Sequence, residues 1–313
     1  MSPRLPQLSN GLFLTDGGLE TTLIFHEGLE LPHFAAFTLL RDPAGRDVLR
    51  RYYRTYLDIA AAEGVGFVLE SPTWRASPDW AERLGISADD LGELNRQAIA
   101  MMEALRTAYA GQVSPIVVSG CVGPRGDGYD PGEAMTAEAA EAYHAGQVAA
   151  FAEAGADMVC AITMTNTPEA VGVVRAAQTF GLPVAISFTV ETDGRLPTGE
   201  ALGRAVQAVD EATGGAPAYY MVNCAHPSHF AEALAADAPW AKRIQGLRAN
   251  ASRRSHQELN DSPDLDDGDP AELAAEHAEI LRRRPWIRVI GGCCGTDHRH
   301  VAALGRACVA VAA

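Results

Sequence analysis

Eight short apolar runs punctuate this chain of 313 residues, and long amphipathic, alanine-rich stretches lie between them. The runs are Leu12–Thr15, Gly66–Glu70, Ile116–Gly120, Met158–Thr163, Val184–Thr189, Tyr219–Asn223, Ile244–Arg248 and Arg288–Ile290. Each has the length of a strand. The intervening stretches, among them Asp47–Glu63, Asp89–Tyr109, Ala137–Glu153, Ala201–Ala212 and Pro270–Arg283, read as helices. Strands alternating with helices imply a parallel sheet. Eight such units predict an α/β fold, one (β/α)8 TIM-type barrel over residues 1–313. An open doubly wound sheet is the weaker alternative, because no GxGxxG opens the first unit. Ser87 and Thr136 are placed to cap the helices that follow them.

Charge and cysteine usage narrow the partners. The formal charge is −15, which repels nucleic acid and anionic membranes, so neither is expected as a partner. Met1-Ser2-Pro3-Arg4 leads into no apolar segment of the signal-peptide kind. No apolar run approaches the roughly 20 residues that span a bilayer. A soluble, cytoplasmic protein acting on small molecules is expected, with homo-oligomerisation left open. Six cysteines in a chain this long do not resemble a disulfide scaffold, and clustered ones favour metal or redox roles.

The notable polar groups fall at the C-terminal ends of the proposed strands. Asp16 follows the first, Glu70 ends the second and Cys121 follows the third. Asn223 and Cys224 end the sixth, Asn250 follows the seventh, and Cys293 and Cys294 follow the eighth. In a barrel these ends share one rim, where active sites are built. The adjacent Cys293 and Cys294 point to opposite faces if they lie in a regular strand. Both reach one ion only if the backbone turns between them, which Gly291, Gly292 and Gly295 permit. By spacing alone the pair reads equally as zinc ligands or as buried or redox-active cysteines, and Cys224 at another strand end adds a third thiolate. Cys121, Cys160 and Cys308 read as small apolar residues.

Five segments, in order along the chain, carry a resemblance. They are Asp16-Gly17-Gly18-Leu19-Glu20-Thr21, Ser119-Gly120-Cys121-Val122-Gly123-Pro124, Ile186-Ser187-Phe188 with Asp193–Gly199, Val222-Asn223-Cys224, and Gly291-Gly292-Cys293-Cys294-Gly295-Thr296. Together they resemble the homocysteine S-methyltransferase family from the first strand to the last. The resemblance implies the same barrel and one zinc ion (Zn2+) held by Cys224, Cys293 and Cys294. It also implies methyl transfer from a sulfonium, ammonium or folate donor to homocysteine, giving methionine. A folate donor fits less well, because the length leaves no room for added folate- and cobalamin-binding domains. A free thiol of pKa about 8.5 is mostly protonated at neutral pH, and coordination to zinc deprotonates it. By the same resemblance Asp16 lies close to the substrate, with Gly17 and Gly18 letting the backbone approach it. Asn223 and Asn250 join them as candidate substrate-binding residues.

Two departures concern the acceptor. The family carries a glutamate after the fourth strand that binds the homocysteine amino group; here that position is Ile162. The family's Thr-Asn after the second strand is replaced by Glu70-Ser71. Glu70 either takes over the missing carboxylate, or pairs with Arg75 or another arginine, or the acceptor is a thiol without an α-amino group.

Three further features are weaker. Trp74, Trp80 and Phe188 suit a cationic donor through cation–π attraction, or are packing. His226 and His229 imitate metal spacing but read as helix-start residues. The irregular stretch at about 249–269, with its acidic run from Asp261 to Asp269, is either a solvated loop or a lid or contact arm.

Overall fold

Strand β1 (Phe13–Leu14) pairs in parallel with both β2 (Gly66–Glu70) and β8 (Val289–Gly292), and this double pairing closes the sheet. Between them β3 (Ile116–Val122), β4 (Met158–Met164), β5 (Val184–Phe188), β6 (Tyr219–Asn223) and β7 (Ile244–Ala249) follow in sequence order. The result is a closed eight-stranded parallel barrel with helices between the strands, as the alternation predicts. This computed structural model describes residues 5–9, 11–262 and 264–312. Met1-Ser2-Pro3-Arg4, on which the signal-peptide reading rests, lies outside the described residues.

Alternation along each strand sorts the apolar side chains into two cores. Phe13, Val68, Val117, Met158, Cys160, Ala185, Tyr219, Met221 and Val289 point inward and fill the barrel, with Leu5 packed against them. Gln7 is buried beside this layer, its Nε2 3.2 Å from Met158 Sδ. Their neighbours Leu14, Phe67, Leu69, Val118 and Val159 point outward into the shell beneath the helices. The helix Pro43–Glu63 shows how that shell is covered. Asp42 caps its start, Pro43 occupies the first turn, and Leu49, Tyr53, Tyr56, Leu57 and Ala60 form its buried stripe. Ser87 and Thr136 cap their helices as expected, accepting from the amides of Asp90 and Ala139.

The strand bounds differ from expectation at three functional positions. β3 continues to Val122, so Cys121 lies inside it, buried, rather than after it. β8 runs through Gly291 and Gly292, so the turn begins two residues later, at Cys293. β4 extends to Met164 through a register shift between Ala161 and Met164, with Thr163 left-handed at φ 60°. The long loop is also less irregular than its composition suggests. It carries a short helix, His256–Asn260, started by a Ser255–Glu258 capping box. Arg253 ties it to Glu272 and Glu276, and Ser252 Oγ donates to Asp266. No helix among the described residues is long and apolar enough to cross a membrane.

Candidate active site

The sulfur groups come from two strand ends that do not adjoin. Cys224 follows β6 in a left-handed conformation, φ 57°, which is unfavourable for a side chain with a Cβ and is held by its surroundings. Asn223, just before it, is the brace. Its Oδ1 accepts from Thr163 N at 2.8 Å and Ser187 Oγ at 2.6 Å. Its Nδ2 donates to Thr163 Oγ1 at 2.9 Å and lies 3.9 Å from Cys293 Sγ. After β8 a tight turn forms, with Thr296 N donating to Cys293 O at 3.1 Å and Gly295 left-handed at φ 78°. This turn brings both adjacent cysteines to one side.

Cys293 Sγ then lies 3.0 Å and Cys294 Sγ 3.4 Å from Cys224 Sγ, and all three sulfurs fall within 4.8 Å of one another. Sulfurs bound to one tetrahedral ion at about 2.3 Å stand about 3.8 Å apart, so small side-chain rotations bring the triad onto a metal. Hydrogen bonds from Cys224 and Cys294, helped by the charge of Arg248, hold the Cys293 thiol well below its usual range. The same sharing, with burial, pushes the Cys224 thiol up. A divalent cation is what would let all three ionise together.

Across the barrel mouth stands a cluster of opposite character. Arg248, the fifth residue of β7, is buried, and its guanidinium is fully committed. One Nη pairs with Glu70, the other donates to Asp16 Oδ1 at 2.6 Å, and Nε donates to Gly292 O at 3.2 Å. Tyr52 OH donates to Asp16 Oδ2 at 3.0 Å. Burial raises the Asp16 and Glu70 carboxyls above the usual range, and Arg248 offsets this only in part. Arg248 itself is held charged by both carboxylates. Ionised, the cluster carries one negative charge more than its arginine balances.

Sulfurs and carboxylates line one cavity of about 340 Å³. Ile162 and Thr163 from β4, Trp74 and Arg75 after β2, and Ile24, Phe25 and Phe34 after β1 complete its walls. Ser252, Leu259, Asn260 and Leu265 of the long loop close over one side. Tyr129, from the loop after β3, reaches the sulfurs: its hydroxyl is 3.2 Å from Cys224 Sγ and 3.3 Å from Cys294 Sγ. Its ring stacks on His256 at 4.0 Å, and His256 Nε2 lies 2.7 Å from the Cys224 carbonyl.

A family model described as homocysteine S-methyltransferase matches residues 13–308, which takes in every strand and both halves of the sulfur triad. The chain belongs to the homocysteine S-methyltransferase family. It is 24% identical to homocysteine S-methyltransferase 4 of Zea mays, an alignment that covers 96% of this chain and 90% of the relative. It is 22% identical to homocysteine S-methyltransferase 1 of Arabidopsis thaliana, covering 95% and 93%. Among solved structures, the oxidized form of the homocysteine methyltransferase MmuM from Escherichia coli superposes with a TM-score of 0.75 at 22% identity, covering 96% and 97%. The metallated form of the same enzyme gives 0.73 at 21% identity, covering 95% and 96%.

Within this family member, Asp16, Gly17, Gly18, Glu70, Cys224, Cys293 and Cys294 all line the cavity. Asn223 and Asn250 do not. Asn223 spends its amide bracing Cys224 and Thr163 from behind, and Asn250 is buried with its Oδ1 lacking a partner among the described residues. Gly18 serves the protein's own backbone, since a Cβ there would stand 2.7 Å from the Cys293 carbonyl. Ile162 does face the cavity, so the aliphatic replacement is a property of the site. Arg75 does not pair with Glu70; it lies between the rings of Trp74 and Trp80, at 4.1 and 3.8 Å, and meets Asp127. Trp80 is thus packing, as is Phe188, buried against Tyr220. His226 caps the helix Pro227–Leu234.

Four residues of the site escaped sequence reading: Arg248, Tyr129, His256 and Glu20. For Arg248 the signal was present, a charged residue at the end of an apolar run on the same rim. Tyr129 comes from a loop and His256 opens the short helix His256–Asn260, and neither carries a pattern.

Proposed function

We propose that this chain transfers a methyl group from a small methylated onium donor, of the S-methylmethionine or betaine kind, to a thiol, with homocysteine as the acceptor and methionine the product. The observation that carries the reading is the convergence of Cys224, Cys293 and Cys294 on one point of the cavity wall, joined to family membership. Zinc held by these three residues would supply a deprotonated, nucleophilic acceptor thiol at neutral pH.

The chain's own residues do the rest. Asn223 fixes the ligand-bearing turns and steadies Cys293. Tyr129 stands over the sulfurs and gives way to the acceptor. The surplus negative charge of Asp16 and Glu70 receives the acceptor's ammonium group, the part played by the family glutamate that Ile162 lacks. Leu259, Leu265 and the apolar wall limit water around the reacting atoms. The acceptor's sulfur lone pair forms the new S–C bond as the donor's C–S or C–N bond breaks. That bond's electron pair stays with the neutral leaving group.

One observation favours a second reading of the acceptor. Ile162 offers no charge, and Arg248 already holds both carboxylates, which suits a thiol without an α-amino group. The redox alternative accounts for two of the sulfurs and leaves the third unexplained. Mass spectrometry decides among these. Zinc-loaded protein is given homocysteine or 4-mercaptobutanoate with S-methylmethionine, S-adenosylmethionine or glycine betaine. Methionine is the expected product; methylation of the deaminated thiol alone moves the assignment to the second reading. No methylated thiol from protein holding one zinc per chain sinks both.

A further inference from the structure

The cavity holds a third carboxylate, half-buried, that neither cluster uses. Glu20 lies on the short helical turn Leu19–Thr21 after β1 and lines the cavity. Unlike Asp16 and Glu70, it has no side-chain partner and no ion pair among the described residues, only its own backbone N–H. Burial pushes its carboxyl up to about 7, and the neighbouring Cys293 and Asp16 push the same way. The one opposing charge nearby is Arg75, committed to Asp127 and to the Gly126 carbonyl. The same lining offers it apolar side chains, Ile24, Phe25, Phe34, Trp74 and Leu265, among polar ones that include Asp127, Ser252, Asp264 and Asp266. Phe25 and Phe34 are 52% and 54% exposed, large apolar side chains left uncovered at the mouth.

A carboxylate among apolar groups is costly unless a cation meets it. A methylated onium needs only opposite charge and apolar contact, which this wall offers. We propose that Glu20 is the counter-ion for the onium centre of the methyl donor and sets the donor's charge requirement. This rests on the methyl-transfer reading above.

The chemistry gives the proposal a kinetic form. The donor's positive charge is complete in the bound state and partly lost as the methyl group moves. A counter-ion therefore stabilises the bound donor more than the transition state, so its loss raises KM and does not lower kcat.

The test uses two donors with carbon isosteres of the same shape. Glycine betaine is paired with 3,3-dimethylbutanoate, and S-methylmethionine with homoleucine. Calorimetry measures the affinity of zinc-loaded wild type and Glu20→Gln for each. Wild type prefers at least one onium compound over its isostere by about thirtyfold, and Glu20→Gln narrows that preference to about threefold or less. With the preferred donor, the variant raises KM and leaves kcat at or above the wild-type value. An unchanged preference in Glu20→Gln overturns the proposal, as does a wild type that discriminates in neither pair. Homocysteine titrated into both proteins, in buffers of different ionisation heat, reports release of the thiol proton. Loss of that release in wild type is failure of the methyl-transfer reading; its presence without onium preference is failure of the Glu20 assignment alone.

Discussion

The two walls of the cavity are built from the same kind of position, the last residues of a barrel strand or the first beyond it, yet they meet opposite electrostatic ends. On the sulfur wall three acidic groups face one another with no cation among them but the more distant Arg248. On the carboxylate wall two acidic groups share a buried arginine. The first has no cation of its own, whereas the second is paired with one the chain supplies, with one carboxylate in excess. The contrast separates a dependence on metal from a dependence on folding, and substitutions can break it on either side.

The largest effect belongs to the sulfurs. Cys224→Ser, Cys293→Ser or Cys294→Ser each lowers zinc affinity by about a hundredfold or more, since even outer groups around a metal cost tenfold to a hundredfold. Metal analysis after dialysis shows this directly, and methyl transfer falls in step. The melting temperature in chelator stays near that of the wild type, because the sulfurs contribute little to the fold without metal. A variant that keeps both zinc and activity removes its cysteine from the site.

Arg248→Leu acts on the other wall. It leaves Asp16 and Glu70 buried without a partner, which costs about 3–5 kcal/mol in urea unfolding. The triple variant Arg248→Leu, Asp16→Asn, Glu70→Gln recovers most of that stability, because no unpaired charge remains. If the single variant is as stable as the wild type, the cluster is not the closed unit described here.

These two walls were unequally legible in the sequence. The sulfur wall was visible because cysteine is rare, and Cys224, Cys293 and Cys294 fell at the ends of apolar runs in segments that carry the resemblance. The barrel was visible for a related reason: β-strand and helix periods alternate along the chain, and closure follows from their number. The carboxylate wall was read only halfway. Asp16 and Glu70 stood out as charges beside apolar runs, but their joint commitment to Arg248 is a pairing across 232 and 178 positions of sequence. No local pattern records such a pairing. The bulge at Thr163 and the left-handed Cys224 were equally invisible, because their cost is met by Asn223, which joins β4 to β6.

The carboxylate wall and a histidine outside both walls differ in the sign of their pH response. His277 is buried in the helix Pro270–Arg283 with Nε2 unpartnered among the described residues, and burial lowers it to about 4. The unfolded chain takes up this proton near pH 6.5 and the folded chain does not. Stability therefore falls as pH drops from about 6.5 to about 4, by about 3 kcal/mol. His277→Gln flattens that slope. Asp16 and Glu70 work in reverse: with folded pKa values raised, they favour the fold at low pH and lose that contribution as pH rises past their unfolded values, about 4. Denaturation curves across pH that show no difference between wild type and His277→Gln rule out the buried neutral imidazole.

The smallest effect lies where the sulfur wall meets the loops. Tyr129 places its hydroxyl on Cys224 and Cys294, on the side the acceptor must approach, while its ring is held by His256. Tyr129→Phe keeps the stacked ring and removes only the group that the acceptor displaces. One hydrogen bond of this kind is worth about 1 kcal/mol net, so the acceptor's KM falls about fivefold while the zinc content stays the same. An unchanged KM would mean that the loop after β3 moves away as a body before the acceptor arrives. A raised KM would make Tyr129 a partner of the bound acceptor. In either case the sulfur wall would no longer be a site closed by its own loops at rest, and the contrast with the permanently paired carboxylate wall would be one of residues alone.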